Sequence, residues 1–408
     1  MVKKLICGTM CGLLLATSWY TPMAADHPSA VTQAETAPTS GTVGENLEWE
    51  YQSTKKQLTI RVTPGKAGNG AIPDYTDHYD SSPTPWNAWT NKITSAVVEE
   101  GVTVLGKHTF ANCNLKSVSL PESLQKINAY AFYDCGRLTK ISIPSRVTEL
   151  DVMAFSLCSA LQNIDVSAQN SVYCSILGDL YNKEQTTLLR YAPGKTDASY
   201  TAVPSLTKIE DRAFSSCYNL TRITLHDNIE TIGESAFSGC SKLTDITLPA
   251  RLKTLGDSAF WFCSALTEVR LPDSLTQMGT GQFFYCKALR KVTLPAQLTD
   301  LPDTTFLSCE ALTEVIFPES LTRIGWNVFY GCTSLEQLTL PDSVTHLDEA
   351  AFEKCSSLRR IKLPKNLTYL GSGTFSNCSA LEEIQLPEGL KNIPARTFSG
   401  CSSLKEVQ

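Results

Sequence analysis

Residues 263–286 read "CSALTEVRLPDSLTQMGTGQFFYC". Two cysteines bound the stretch, 23 positions apart, and the step carries on to Cys309, Cys332, Cys355, Cys378 and Cys401 and back to Cys240 and Cys217. A phenylalanine keeps the same register: Phe214, Phe237, Phe260, Phe283, Phe306, Phe329, Phe352, Phe375 and Phe398, with Phe110, Phe132 and Phe155 in earlier copies. Self-similarity at a fixed period of this length marks a repeat array, in which each copy is too short to bury its own apolar face and stacked copies bury it jointly. Counting phenylalanines predicts twelve coils.

Within one copy, Leu266, Val269 and Leu271 begin the pattern, and the last two are spaced for one face of a strand. Pro272 then ends the strand, because proline cannot donate to a ladder. A second apolar pair follows, Leu275 and Met278, and then an Ala-Phe-x-x-Cys element that reads as one tight helical turn.

The opening residues, "MVKKLICGTMCGLLLATSWYTPMAA", have two lysines, an apolar run and small residues at its end, which predicts an export signal over 1–25. Its removal takes Lys3 and Lys4 and moves the net charge from −6 to −8. Lys and Arg form no run, so nothing points to a nucleic-acid partner. No later stretch is apolar for long enough to span a bilayer, so the exported chain has no predicted transmembrane segment. Residues 26–46 are rich in Thr, Ala, Ser and Pro and read as a flexible leader. Residues 47–92 read as an N-terminal β cap: Leu47, Trp49 and Tyr51 alternate, Leu58, Ile60 and Val62 alternate, and Trp86 and Trp89 pin the loop that follows. The solenoid is expected over 93–408, with a longer variant coil within 159–203 that explains the odd step from Cys158 to Cys217.

One thiol per copy does not suit zinc, which wants short-spaced pairs or a matching histidine, so no metal or other cofactor is predicted. Nor does it suit nucleophilic catalysis, because no base repeats with it. Known signatures for phosphate loops, dinucleotide sites or nucleophile elbows are missing, and the chain reads as a non-enzyme. The cysteines are therefore expected as a buried, reduced ladder beside the phenylalanines. Bridges between coils are the competing reading, since export favours oxidation. Cys174, in the variant coil, is expected outside the ladder and partly exposed.

The copy "LTDITLPARLKTLGDSAFWFC" (243–263) resembles the repeat of the BspA-like leucine-rich repeat proteins of bacteria. The variant segment "ILGDLYNKEQTTLLRYAPGKTDASYTAVP" (176–204) resembles that family's longer coil, and the resemblance covers about residues 47–408. It implies a β-rich curved solenoid with a parallel sheet, and a secreted or cell-surface protein that adheres to host matrix proteins or to other cells. A glycan is the second class of ligand. The alternative is a structural envelope or biofilm component that self-associates end to end.

Two patches are candidates for binding. The residues between Phe and Cys are small or polar in most copies but turn apolar in four: Trp261 and Phe262, Phe284 and Tyr285, Leu307, and Tyr330, with Trp326 nearby. Stacking should join them into one exposed strip. The second patch is basic, Arg359, Arg360, Lys362 and Lys365, and could attract an anionic glycan.

Overall fold

The structure, a computed structural model, describes residues 37–66, 70–76 and 83–408. The signal reading over 1–25 lies outside the described residues, as does the leader reading up to residue 36.

Two ribbons of parallel strands run along the solenoid. One is made of three-residue strands such as Arg222–Thr224, Asp245–Thr247 and Glu268–Arg270, which pair one coil on in short runs that break between Asp245–Thr247 and Glu268–Arg270: Ile223 faces Ile246, and Val269 faces Val292. In each the central residue is buried and the flanking two are exposed, as alternation on a strand requires. The other ribbon is made of two-residue strands such as Thr231–Ile232 and Thr254–Leu255. Threonine hydroxyls reinforce the stack: those of Thr322, Thr345 and Thr368 each donate to a carbonyl 23 residues earlier.

The third side of each coil is the Ala-Phe-x-x-Cys element, and here the helical reading fails except in one coil, where Val152–Phe155 makes a short 3₁₀ turn. The residue before each cysteine has a positive φ, as do Ser258 and Phe262 in one copy and Gly281 and Tyr285 in the next. Two left-handed residues per turn forbid a helix. The hydrogen bonds give the reason. The N–H groups of Ser258, Phe260 and Phe262 donate forward to Thr280, Gln282 and Phe284, while Trp261 and Cys263 bond back three residues. An α-helix would use all these donors internally, whereas this turn spends every other one on the next coil. The only helical segments among the described residues are short 3₁₀ turns at Asn87–Trp89 and Val152–Phe155.

Phenylalanines stack along the core with centroids 5.1 Å apart for Phe237–Phe260, 5.5 Å for Phe260–Phe283 and 5.7 Å for Phe283–Phe306. Those from Phe110 to Phe375 are fully buried, and Phe398 is half-buried. Two coils carry no such phenylalanine, the first one and the variant, so the solenoid makes about fourteen turns where the phenylalanines count twelve. In the variant, Tyr191 stands at the phenylalanine place, 5.4 Å from Phe214.

At the N-terminal end β2 (Leu47–Gln52) and β3 (Gln57–Val62) form an antiparallel hairpin, and β3 pairs in parallel with Ser95–Val98. Trp86 and Trp89 are buried against it, Trp86 edge-on to Trp49 and Trp89 stacked on Tyr51 at 4.8 Å. The leader reading ran too far: β1 (Ser40–Val43) lies inside it and pairs with β2. Only Val43 of β1 is buried, so the strand is held mainly by backbone bonds that composition does not reveal.

Candidate functional site

The strip follows from the turn geometry. Because the turn keeps its backbone register from coil to coil, the two residues between Phe and Cys form two columns. Trp261, Phe284, Leu307 and Tyr330 occupy the first, and Phe262 and Tyr285 the second. Rings stack within both columns: Trp261 on Phe284 at 6.3 Å and Phe262 on Tyr285 at 4.8 Å. Phe284 and Tyr285 also stack on each other at 4.7 Å. Trp261 and Phe262 are exposed at 36 % and 38 %, while Phe284, Tyr285 and Tyr330 are half-buried.

Charge edges the strip. The Lys287 ammonium lies 6.0 Å from the centre of the Tyr285 ring and pairs with Glu310. The Lys354 ammonium lies 4.8 Å from the centre of the Tyr330 ring and donates to its hydroxyl. An aromatic centre with a charged rim is the composition of protein-binding surfaces.

Two expected members fall away. Leu307 is 6 % exposed, because its short side chain sits in one column between the bulkier Phe284 and Tyr330. Trp326 is half-buried three residues before Phe329 and makes no ring contact with the strip; its backbone N–H donates to the Asp303 carboxylate.

The basic patch is largely neutralised. Arg359 pairs with Glu382 at 3.8 Å, Arg360 with Glu383 at 3.7 Å and Lys365 with Asp342 at 3.1 Å, leaving Lys362 without an ion pair. Stacking at about 4.8 Å places each of these three bases beside the same column of an adjacent coil, where an acid stands. Such exposed pairs add little stability, roughly 0–1 kcal/mol, but they remove the free positive field an anion would need.

Each ladder cysteine is a free thiol. The sulfur of Cys240 donates to Phe214 O, that of Cys263 to Phe237 O and that of Cys286 to Phe260 O, at 3.1–3.2 Å. Burial pushes the thiols up, to about 12 for Cys113, Cys158 and Cys240. A thiol so far from ionisation is a poor nucleophile and a poor metal ligand. Cys174 is half-buried and donates to Asn182 O.

The repeat decides the family. A model of the BspA-type leucine-rich repeat region matches residues 87–177, 195–313 and 299–408, about three quarters of the sequence. The chain belongs to the BspA-type leucine-rich repeat family. Solved leucine-rich repeat proteins share the fold. One from Bacteroides ovatus is 24 % identical, with a TM-score of 0.55, covering 90 % of this chain and 98 % of that one. One from Eubacterium ventriosum is 22 % identical, with a TM-score of 0.53, covering 90 % and 95 %. A leucine-rich cell surface protein from Faecalibacterium prausnitzii is 23 % identical, with a TM-score of 0.50, covering 69 % and 95 %. At these identities the likeness is one of fold. No curated relative matches the sequence. Among the described residues of this BspA-type solenoid, no helix is long and apolar enough to cross a membrane.

The family match skips residues 178–194, which lie in the variant coil, and sequence reasoning assigned no site there. Yet this coil holds the best-buried ion pair, Asp179 with Lys195 at 2.8 Å. The signal was present in the charged Asp179, Arg190 and Lys195 standing among apolar residues.

Proposed function

We propose that this chain is a non-catalytic, exported protein, secreted or displayed at the cell surface, that mediates protein–protein or cell–host adhesion through the side of its solenoid bearing the aromatic strip. The observation that carries this reading is the stack of rings left in solvent: Phe262, 38 % exposed, lies on Tyr285 at 4.8 Å, and Trp261, 36 % exposed, lies on Phe284 at 6.3 Å, at places where other coils put small or polar residues such as Ser215 and Ser216 or Ser238 and Gly239. Exposed aromatic strips mark interaction sites. Cell-surface display of the Faecalibacterium prausnitzii protein of like fold supports the localisation.

The test is attachment of the chain lacking residues 1–25 to immobilised host matrix proteins, to glycans and to the chain itself. The triple variant Phe262→Ser, Tyr285→Ser, Tyr330→Ser should lose most attachment to a matrix protein with Tm nearly unchanged. Unchanged attachment with intact folding would remove the strip from the mechanism.

A further inference from the structure

The ribbon of three-residue strands opens between Asp245–Thr247 and Glu268–Arg270. At the joints on either side the backbone closes it: the N–H groups of Thr244 and Asp245 donate to Thr221 O, and those of Arg290 and Lys291 to Thr267 O. Among the described residues, Thr267 and Glu268 make no equivalent bond to Thr244 O. The side chains agree. The Thr244 hydroxyl reaches Thr221 O at 3.1 Å, and the Thr267 hydroxyl makes no such bond one coil on. Ile246, at the edge of the opening, is 7 % exposed, whereas Val292, paired on both sides, is fully buried. An open depression lies over the gap, lined by Thr244, Ile246, Thr267 and Glu268.

The other two sides of the same joint are intact. Thr254–Leu255 pairs with Gln277–Met278. On the turn side the N–H groups of Ser258, Phe260 and Phe262 donate to Thr280, Gln282 and Phe284 at 2.8–3.0 Å. The two coils are therefore joined along two sides and parted along the third.

Charge accounts for the opening. The joints that close set opposite signs side by side: Arg222 with Asp245 at 3.2 Å, Glu268 facing Lys291, and Lys291 with Glu314 at 3.0 Å. The joint that opens sets Asp245 beside Glu268, two exposed carboxylates at the same place in successive coils. Like charges directly opposite one another destabilise strand pairing, and a three-residue strand has few bonds to oppose them. Two further breaks in this ribbon, after Ile316 and Lys362, carry no like-charged pair, so charge does not account for them.

We infer that this joint is a hinge: the solenoid bends there about its two bonded sides, opening and closing the three-residue ribbon, and repulsion between Asp245 and Glu268 biases it open. A hinge absorbs movement at a few residues while the parts on either side stay rigid. The ring stacks Trp261–Phe284 and Phe262–Tyr285 cross the same joint on a bonded side, so they keep their contacts while the ribbon moves. The hinge does not depend on the strip binding anything.

Hydrogen exchange read by mass spectrometry reports the gap. The amides of Thr267 and Glu268 should exchange about tenfold faster than those of Arg290 and Lys291. Glu268→Gln removes the repulsion at constant side-chain length, so it should slow exchange at both gap positions by up to about fivefold, whereas Glu314→Gln, at a closed joint, should not. Bending is read by electron–electron distance measurements on spin-labelled chains lacking residues 1–25 and carrying Cys174→Ala and Cys401→Ala. Labels at Thr224→Cys and Ile316→Cys lie on the ribbon four coils apart, about 19 Å, and labels at Tyr218→Cys and Glu310→Cys lie beside the turn at the same separation. The ribbon pair should give the wider distribution of distances, and Glu268→Gln should narrow it. The proposal is overturned if the gap amides exchange as slowly as those of Arg290 and Lys291, if the two label pairs are equally narrow, or if Glu268→Gln changes neither reading.

Discussion

The regular coils from residue 199 onward and the variant coil before them meet the same demand in opposite ways. In the regular coils most buried places are apolar or thiols, although Gln282, Thr305 and Thr374 stand where Ala259 and Ala351 do, and the phenylalanine and cysteine places are filled by the same residue one coil on. Phe260 touches Phe237 and Phe283, and Cys263 reaches Phe237 O. The variant coil departs from that pattern and buries, beside Leu180, Leu188 and Ala192, polar groups that pair with one another. Asp179 takes Lys195, Tyr181 takes Tyr200, and Arg190, 3 % exposed, is anchored on Arg212 O and Ser215 O. Repetition makes a core cheap to specify, whereas a break in the repeat must be specified residue by residue. The break is where this chain's buried ion pair and tyrosine hydroxyl pair stand.

The largest expected effect contrasts the two cores directly. Phe283→Ala opens a void between two stacked rings and should cost about 3–5 kcal/mol in denaturant unfolding. Tyr191→Phe, at the equivalent place in the variant, should cost nothing. Equal losses would erase the distinction between the two cores.

A smaller effect separates them by pH. Burial pushes the Asp179 carboxyl up to about 6, against the pull of Lys195. A carboxyl with a raised folded pKa holds its proton better when folded, so its contribution to stability is present below about pH 4 and is lost as pH rises to about 6. The parent should therefore lose about 2 kcal/mol across that window relative to Asp179→Asn. Parallel pH profiles would place the carboxyl in solvent.

The smallest effect concerns the thiols. Cys263→Ala, in the ladder, should cost about 1–2 kcal/mol for the lost volume and hydrogen bond, and Cys174→Ala close to nothing. In the chain lacking residues 1–25, a thiol reagent should reach Cys174 and Cys401 in the native state and the other eleven only after unfolding. Few free thiols in denatured, unreduced protein would mean that bridges join the coils.

Much of this was legible in the sequence. The period, the register of Phe283 with Phe260, the inward Val269 between exposed Glu268 and Arg270, and the columns that bring Trp261 over Phe284 all follow from a repeat of constant length. The turn was not legible, because Ala-Phe-x-x-Cys satisfies helical spacing equally well. What rules out the helix is the set of carbonyls of the next coil that accept from Ser258, Phe260 and Phe262.

The sequence by itself determined that this protein is a solenoid, where each regular coil begins, and which residues share a column, because identical copies can only stack in register. Tertiary structure alone decided what each column does. Leu307 disappears beneath its neighbours while Phe262 stands out on a left-handed residue, and Arg360 is answered by Glu383. Three tyrosines and an ion pair, spread over residues 179–200, are buried together in the variant coil. Exposure, pairing and enclosure depend on the adjacent coil, which a residue's own local sequence does not contain.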